Sequence, residues 1–365
     1  MLIVSLVTLG DPATLTGGYL YHQRMAALAP AFDARVHFVS VPTAPFPLPA
    51  VAGAAALRRA ARPRPDVLLI DSIAAAYVGP WLAARRPRTA VVGMLHQPPG
   101  GIDHGWARTR VQGVLDRWAY ARTARLLVAS AALADELVSR GVPSDKLVVV
   151  PPGRDIASER AEPAGDLRAG RRAALLSVGN WVPRKGLLDV LDAVSHLPED
   201  AATLHVVGDA EVDRGYSARV RARLRAPDLS GRVVVHGTLP LRRVAALYQA
   251  ADVFVLASVR EPYGTVYGEA MAAGLPVVGY CAGNLPHLVD HGRQGLIVPV
   301  GDVDALAAAL RRLVDDPRLR DRMGEAAARK AGRFPTWHDS AARLFGELKA
   351  VATRPGTGGR ESMEA

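Results

Sequence analysis

Two glutamates, one lysine and a few glycines carry the chemistry that can be read from this chain. The run Val253-Phe-Val-Leu-Ala-Ser-Val-Arg-Glu-Pro-Tyr-Gly-Thr-Val-Tyr-Gly-Glu-Ala-Met-Ala-Ala-Gly-Leu-Pro-Val-Val-Gly279 reads as strand, loop, helix and strand. Glu261 falls in the loop, and Glu269 falls about one turn inside the helix. Carboxylates repel phosphate, but they accept hydrogen bonds from sugar hydroxyls. Gly264 lets the backbone approach a ligand, Thr265 is placed to cap, and free amides from Gly264 to Val266 can donate to phosphate oxygens. The plainer alternative is one glutamate in solvent and one paired with a surface arginine.

A second cluster, Leu175-Leu-Ser-Val-Gly-Asn-Trp-Val-Pro-Arg-Lys-Gly-Leu-Leu188, takes a buried strand into a turn. Arg184, Lys185 and Gly186 stand where the next helix should begin, so cations and helix amides converge as a diphosphate requires. Lysine is scarce beside arginine here, which gives Lys185 weight. Basic residues near helix starts are also commonly just solvated.

These groups need a scaffold to hold them. At 365 residues the chain is too long for one comfortable core and suits two domains. Apolar residues make up 49% and aromatics 5%, so cores of Ala, Val and Leu are expected in an α/β architecture, and base stacking on exposed rings is not. Apolar runs at 2–9, 36–41, 67–70, 89–95, 125–129 and 147–150 do not alternate with polar residues, which suits strands buried on both faces. Ala- and Arg-rich helical stretches such as 19–29, 51–61 and 131–140 separate them. Near Pro151-Pro-Gly153 the pattern stops; strands then resume at 173–178, 203–207, 233–235, 253–257, 276–279 and 296–298. The expected division is a first domain over 1–153, a linker over 154–172 and a second domain over 173–334. A helix over 335–351 returns to the first domain, and a disordered tail covers 352–365. Asp302 or Asp304 should cap a helix over 303–314.

Basic residues outnumber acidic ones, 45 to 35. The excess clusters in the first half, at Arg58, Arg59, Arg62 and Arg64, at Arg85, Arg86 and Arg88, and at Arg108, Arg110, Arg117, Arg122 and Arg125. Such clusters would attract anionic lipid or a phosphorylated substrate, and the alternative is a solvated helix face. Net charge alone is too little to indicate nucleic-acid binding. The single cysteine, Cys281, excludes an intramolecular disulfide, and nothing near it has zinc-ligand spacing. Residues 1–9 lack a basic leader and are too short to span a membrane, so they read as a first strand in a cytoplasmic protein, with contact at the inner membrane surface left open.

Taken together, the Glu261–Glu269 segment, the Pro-Arg-Lys-Gly turn and Gly295-Leu-Ile-Val-Pro-Val-Gly-Asp302 resemble the donor half of the family-4 retaining glycosyltransferases of GT-B fold. A looser match covers the first half, through Gly17-Gly18, His96, Ser130 and Pro151-Pro-Gly-Arg-Asp155. The resemblance implies two Rossmann-like domains facing each other across a cleft. It also implies transfer of a hexose-type sugar from a nucleoside diphosphate to a hydroxyl acceptor, which is a saccharide, a natural-product aglycone or a lipid-linked group, without metal or cofactor. Residue by residue, Glu269 would bind the ribose and Glu261 the transferred sugar. Lys185 and Arg184, with the amides of Gly264 and Thr265, would hold the diphosphate. Gly17 and Gly18 would approach the phosphate from the first domain, and His96 would face the sugar. Asn180 stands where the family commonly has Arg, Asn284 where it has Gly, and His287 where it has Glu. Three rival readings stay open: an epimerase, a phosphorylase, and a non-catalytic sugar-nucleotide-binding protein. The first strand-to-helix turn lacks the glycine spacing of a dinucleotide site.

Overall fold

A computed structural model describes residues 1–13, 17–43, 46, 49–85, 87–154 and 164–353. The chain divides into two compact units: Met1–Gly153 joined by the helix Trp337–Ala352, and Arg154–Thr336. Each is a parallel six-stranded sheet with helices, as expected from uninterrupted apolar strands alternating with helical stretches.

The first unit contains β1 (Leu2–Leu9), β2 (Ala34–Val41), β3 (Val67–Asp71), β4 (Ala90–Leu95), β5 (Arg125–Val128) and β6 (Leu147–Val149), in the order β2-β1-β3-β4-β5-β6. The chain moves outward from β1 to β2, then crosses back to β3 on the other side of β1. That reversal puts a topological switch point between the carboxyl ends of β1 and β3, where open α/β sheets bind ligands. The helix Trp337–Ala352 buries Ala341, Leu344, Phe345, Leu348 and Val351 against Leu2, Val4, Leu69 and Met94, so both ends of the described chain build one core.

The second unit contains β7 (Ala173–Val178), β8 (Ala202–Val207), β9 (Val233–Gly237), β10 (Val253–Leu256), β11 (Val277–Tyr280) and β12 (Gly295–Val298), in the order β12-β11-β10-β7-β8-β9. The same reversal puts its switch point between β7 and β10. Arg154 and Thr336 form a parallel bridge in this unit, with the Arg154 amide donating to the Pro335 carbonyl at 2.8 Å.

Three local expectations need correction. The segment read as linker lies outside the described residues over 155–163, but from Ala164 onward it belongs to the second unit. Leu167 enters its core, and Arg168 donates to both carboxylate oxygens of Asp252 at 2.9 and 2.7 Å. The helix Pro317–Ala331 was not foreseen, because its buried face is Arg320, Met323, Gly324, Ala327 and Ala331, which has too little apolar bulk for a visible period. Thr265 does not cap; Gly264, in left-handed conformation at φ 82°, occupies the cap position with no side-chain bond. Of the two candidate caps for the helix Val303–Asp315, Asp302 serves, accepting from the Ala305 amide at 2.8 Å. The expected tail lies outside the described residues from 354. No helix among the described residues is long and apolar enough to cross a membrane.

One buried acid in the first unit makes stability depend on pH. Asp116 is 1% exposed and accepts from the Gly100 amide at 2.8 Å. Burial pushes its carboxyl up from 3.8 to about 7. The folded chain therefore holds a proton between those values that the unfolded chain releases, and stability falls as pH rises from about 4 to 7. Asp116→Asn is expected to gain stability relative to the native chain as pH goes from 5 to 8, by at most roughly 3 kcal/mol, with a matching gain in relative Tm. Calorimetry across that range checks this; a Tm difference constant with pH would refute it.

Candidate functional site

In the second unit, two strand-to-helix connections meet at the switch point. After β7 the chain turns through Gly179 and a 3-10 turn, Pro183–Lys185, before Gly186 starts the helix Leu187–Ser195. Gly186 has φ 66°, and a Cβ there would stand 2.0 Å from the Ala257 carbonyl oxygen, just beyond β10. Glycine at 186 is therefore what lets the β7 turn press against the β10 loop. The contact is tied further by the Val259 amide and the Ser258 hydroxyl, which donate to the Arg184 carbonyl at 2.9 and 3.0 Å.

This closeness joins the two sequence clusters. Lys185 Nζ donates to Glu261 Oε2, and Arg184 NH1 lies 3.6 Å from the same oxygen. Both members of the Lys185–Glu261 pair are only 12% exposed, so water screens it weakly. Two cations meet one carboxylate and leave a positive balance at the carboxyl ends of β7 and β10. The Lys185 stem lies over Gly179. Across the loop, Gly283 at φ 55° passes so near Glu261 that a Cβ would sit 2.5 Å from its carbonyl oxygen. The Asn284 amide donates to that oxygen at 2.9 Å, and Asn284 Nδ2 donates to the Tyr263 carbonyl at 2.9 Å.

Glu269 is exposed on the helix Thr265–Ala272, eight residues along the chain from Glu261, and it interacts with the buried Tyr248 hydroxyl. Burial first, and then Glu269, push that phenol well above its usual range. Thr265 is exposed and Gly264 buried at the helix start. Asn180 is exposed and accepts from the Asp209 amide at 3.2 Å. The structure thus brings Arg184, Lys185 and Glu261 together, places the Gly264–Thr265 helix start in the same β10 connection, and holds Glu269 on that helix.

In the first unit, the corresponding switch point gathers side chains that sequence reasoning missed. Asp71 ends β3 and is 1% exposed. It accepts from the Thr8 hydroxyl at 2.8 Å, lies 3.1 Å from His22 Nε2, and caps the helix Ser72–Ala84. Burial raises its carboxyl, but the neighbouring His22, His96 and Thr8 outweigh this and hold it at about 2. His96 follows β4, with its ring 4.9 Å from the rings of both Tyr21 and His22, edge to face. Burial and then the charge of His22 lower its imidazole to about 3, so it is neutral at pH 7. Its Nε2 is buried with no hydrogen-bond partner among the described residues. Gly18, near the start of the helix Gly17–Leu28, lies against this ring, and a Cβ would be 3.6 Å from His96 Cδ2; Gly17 is exposed beside it. Donor atoms of His22, Asp71 and His96 lie within 4.8 Å of one another, a composition compatible with a cation as well as with a hydrogen-bonded network. The signal for Asp71 was an acid closing an apolar run at a strand's carboxyl end; His22 had none.

Comparison with known proteins adds the following. Residues 159–330 match the family of glycosyl transferases group 1, and residues 4–158 match glycosyltransferase family 4. The chain is 33% identical over 304 residues to a D-inositol 3-phosphate glycosyltransferase of Streptomyces bingchenggensis, covering 75% of this chain and 64% of that protein. It is 30% identical over 297 residues to the protein of that name in Xylanimonas cellulosilytica, covering 75% and 69%. The chain thus spans about two thirds of the length of these relatives. Among solved structures, Anabaena Alr3699/HepE in complex with UDP and glucose shares the fold at a TM-score of 0.78, with 20% identity over 95% of this chain and 99% of that one.

Proposed function

The chain belongs to the group 1, family-4 glycosyltransferases, and from that premise we propose that it moves a hexose-type sugar from a nucleoside-diphosphate sugar to a hydroxyl acceptor, with retention at the anomeric carbon. The observation that carries this reading is the meeting of Lys185, Arg184 and Glu261 at the carboxyl ends of β7 and β10, beside the helix start at Gly264. A fold neighbour that binds UDP and glucose supports a nucleotide-sugar donor.

In this reading the bond between the anomeric carbon and the β-phosphate oxygen breaks while the acceptor oxygen bonds to the same face of the sugar. The acceptor proton passes to the departing diphosphate. Charge grows on that diphosphate, and Lys185, Arg184 and the amides of Gly264 and Thr265 meet it, which is the kind of preorganised stabilisation that dominates such catalysis. These groups supply the compensation without a metal. Engaging the diphosphate requires Lys185 to share its charge away from Glu261, which leaves the carboxylate able to accept from a sugar hydroxyl. Glu269 holds the ribose. In the first unit, Gly18 lies against His96, whose neutral ring offers an unpaired nitrogen to a hydroxyl.

Incubation with UDP-glucose, other nucleotide sugars and a panel of hydroxyl acceptors tests the proposal. Nucleoside diphosphate should appear in proportion to glycosylated product. Donor binding without turnover on any acceptor would favour a binding protein instead, and an isomerised donor would favour an epimerase. Glu269→Ala is expected to weaken nucleoside-diphosphate binding about tenfold, as loss of a charge-assisted hydrogen bond predicts, and titration calorimetry measures it. Unchanged affinity would remove Glu269 from the site.

A further inference from the structure

We propose that the helix Trp106–Ala121 is a docking surface for an anionic lipid bilayer. The helix is amphipathic in the reverse of the usual sense. Its inner face buries Gln112 and Asp116, at 3% and 1% exposure, beside Gly113, Ala119 and Tyr120. Its outer face leaves Trp106 81%, Val111 51%, Val114 37% and Trp118 46% exposed. These residues recur at helical spacing with Ala107, Arg110, Arg117 and Ala121, which are also exposed, and Arg122 follows directly. No acidic residue lies on this face. From Trp106 to Trp118 the stripe runs ~18 Å along the axis.

A solvated face would spare tryptophan and valine, so the composition calls for a partner that is apolar in its interior and negative at its surface. Tryptophan rings suit the headgroup boundary, valines reach the acyl region beneath, and arginines meet lipid phosphates. A second copy of this chain fits poorly, because a two-fold contact through the face would bring Arg110, Arg117 and Arg122 against the same charges on the other copy. This inference does not rest on the transfer reading.

The test is flotation of the full chain with vesicles of phosphatidylcholine, with and without phosphatidylglycerol. The native chain should partition at least about tenfold better to the anionic vesicles, less so at high salt. Trp106→Ser with Trp118→Ser, and separately Arg110→Glu with Arg117→Glu, should each cut that partition by about tenfold. Because all four side chains are exposed, Tm and nucleotide affinity should stay unchanged. Equal partition to both vesicles, no partition, or variants that bind like the native chain would overturn the proposal. So would a native dimer in size-exclusion chromatography that the tryptophan variant dissociates. Partition is read without donor or acceptor, so its failure is distinguishable from failure of the proposed activity.

Discussion

Lys185→Ala is expected to lower kcat/KM for sugar transfer by roughly 10- to 150-fold, the range set by losing one charge-assisted contact of about 1.5–3 kcal/mol. The lysine is held in place by Glu261 and lies over Gly179, so its loss removes a positioned charge and not a mobile one. Most of the loss should fall on kcat, because the diphosphate gains charge on the way to the transition state. Glu261→Gln alone should also slow transfer. The two substitutions should combine less than additively, since each removes part of one shared network. Steady-state kinetics on the two single variants and the double variant measures the coupling. Strict additivity would mean that the ion pair has no part in the reaction.

The second large effect is on the fold. Gly186→Ala should destabilise the second unit by roughly 2–5 kcal/mol, combining left-handed strain with a steric clash. The added methyl would meet the Ala257 carbonyl oxygen at 2.0 Å and the Ala257 side chain at 2.9 Å, and both belong to the connection that carries Glu261. Relief requires the β7 turn to move away from β10, which separates Lys185 from Glu261, so activity should fall even at temperatures where the variant is folded. Gly346→Ala is the control. Nothing lies within 4 Å of that position inside the helix Trp337–Ala352, and alanine there should add about 0.5–1 kcal/mol. Calorimetry on the two variants separates a steric requirement at 186 from a general effect of replacing glycine.

The parts of this architecture that were legible in the sequence are those set by neighbours along the chain. Runs such as Val67–Ile70 are apolar at every position and can only be strands covered on both faces. The β7 and β10 connections announced themselves through Gly186, Gly264 and the Pro-Arg-Lys and Glu-Pro-Tyr segments. Their contact did not, because Lys185 and Glu261 are 76 residues apart and meet only through β7 and β10 being neighbours, which the strand order determines. Asp71 and His22 were missed for the same reason. The two sit on different elements, and neither lies in a recognisable local pattern. The helix Pro317–Ala331 was missed for a different reason: Arg320, buried against Asp252 and the Leu313 carbonyl, occupies a position where an apolar residue would have shown the period.

The returning helix Trp337–Ala352 has a bearing on how the polypeptide matures. A ribosome delivers β1 to β6 first, yet the core of Leu2, Val4, Leu69 and Met94 stays only partly covered, by Tyr21 and Met25, until Leu344, Phe345 and Leu348 emerge. By then every residue of Arg154–Thr336 has already been delivered. Synthesis therefore completes the later-encoded unit before the earlier one, against the usual N-to-C sequence of folding, and leaves an unfinished apolar sheet for chaperones to shield in the interval.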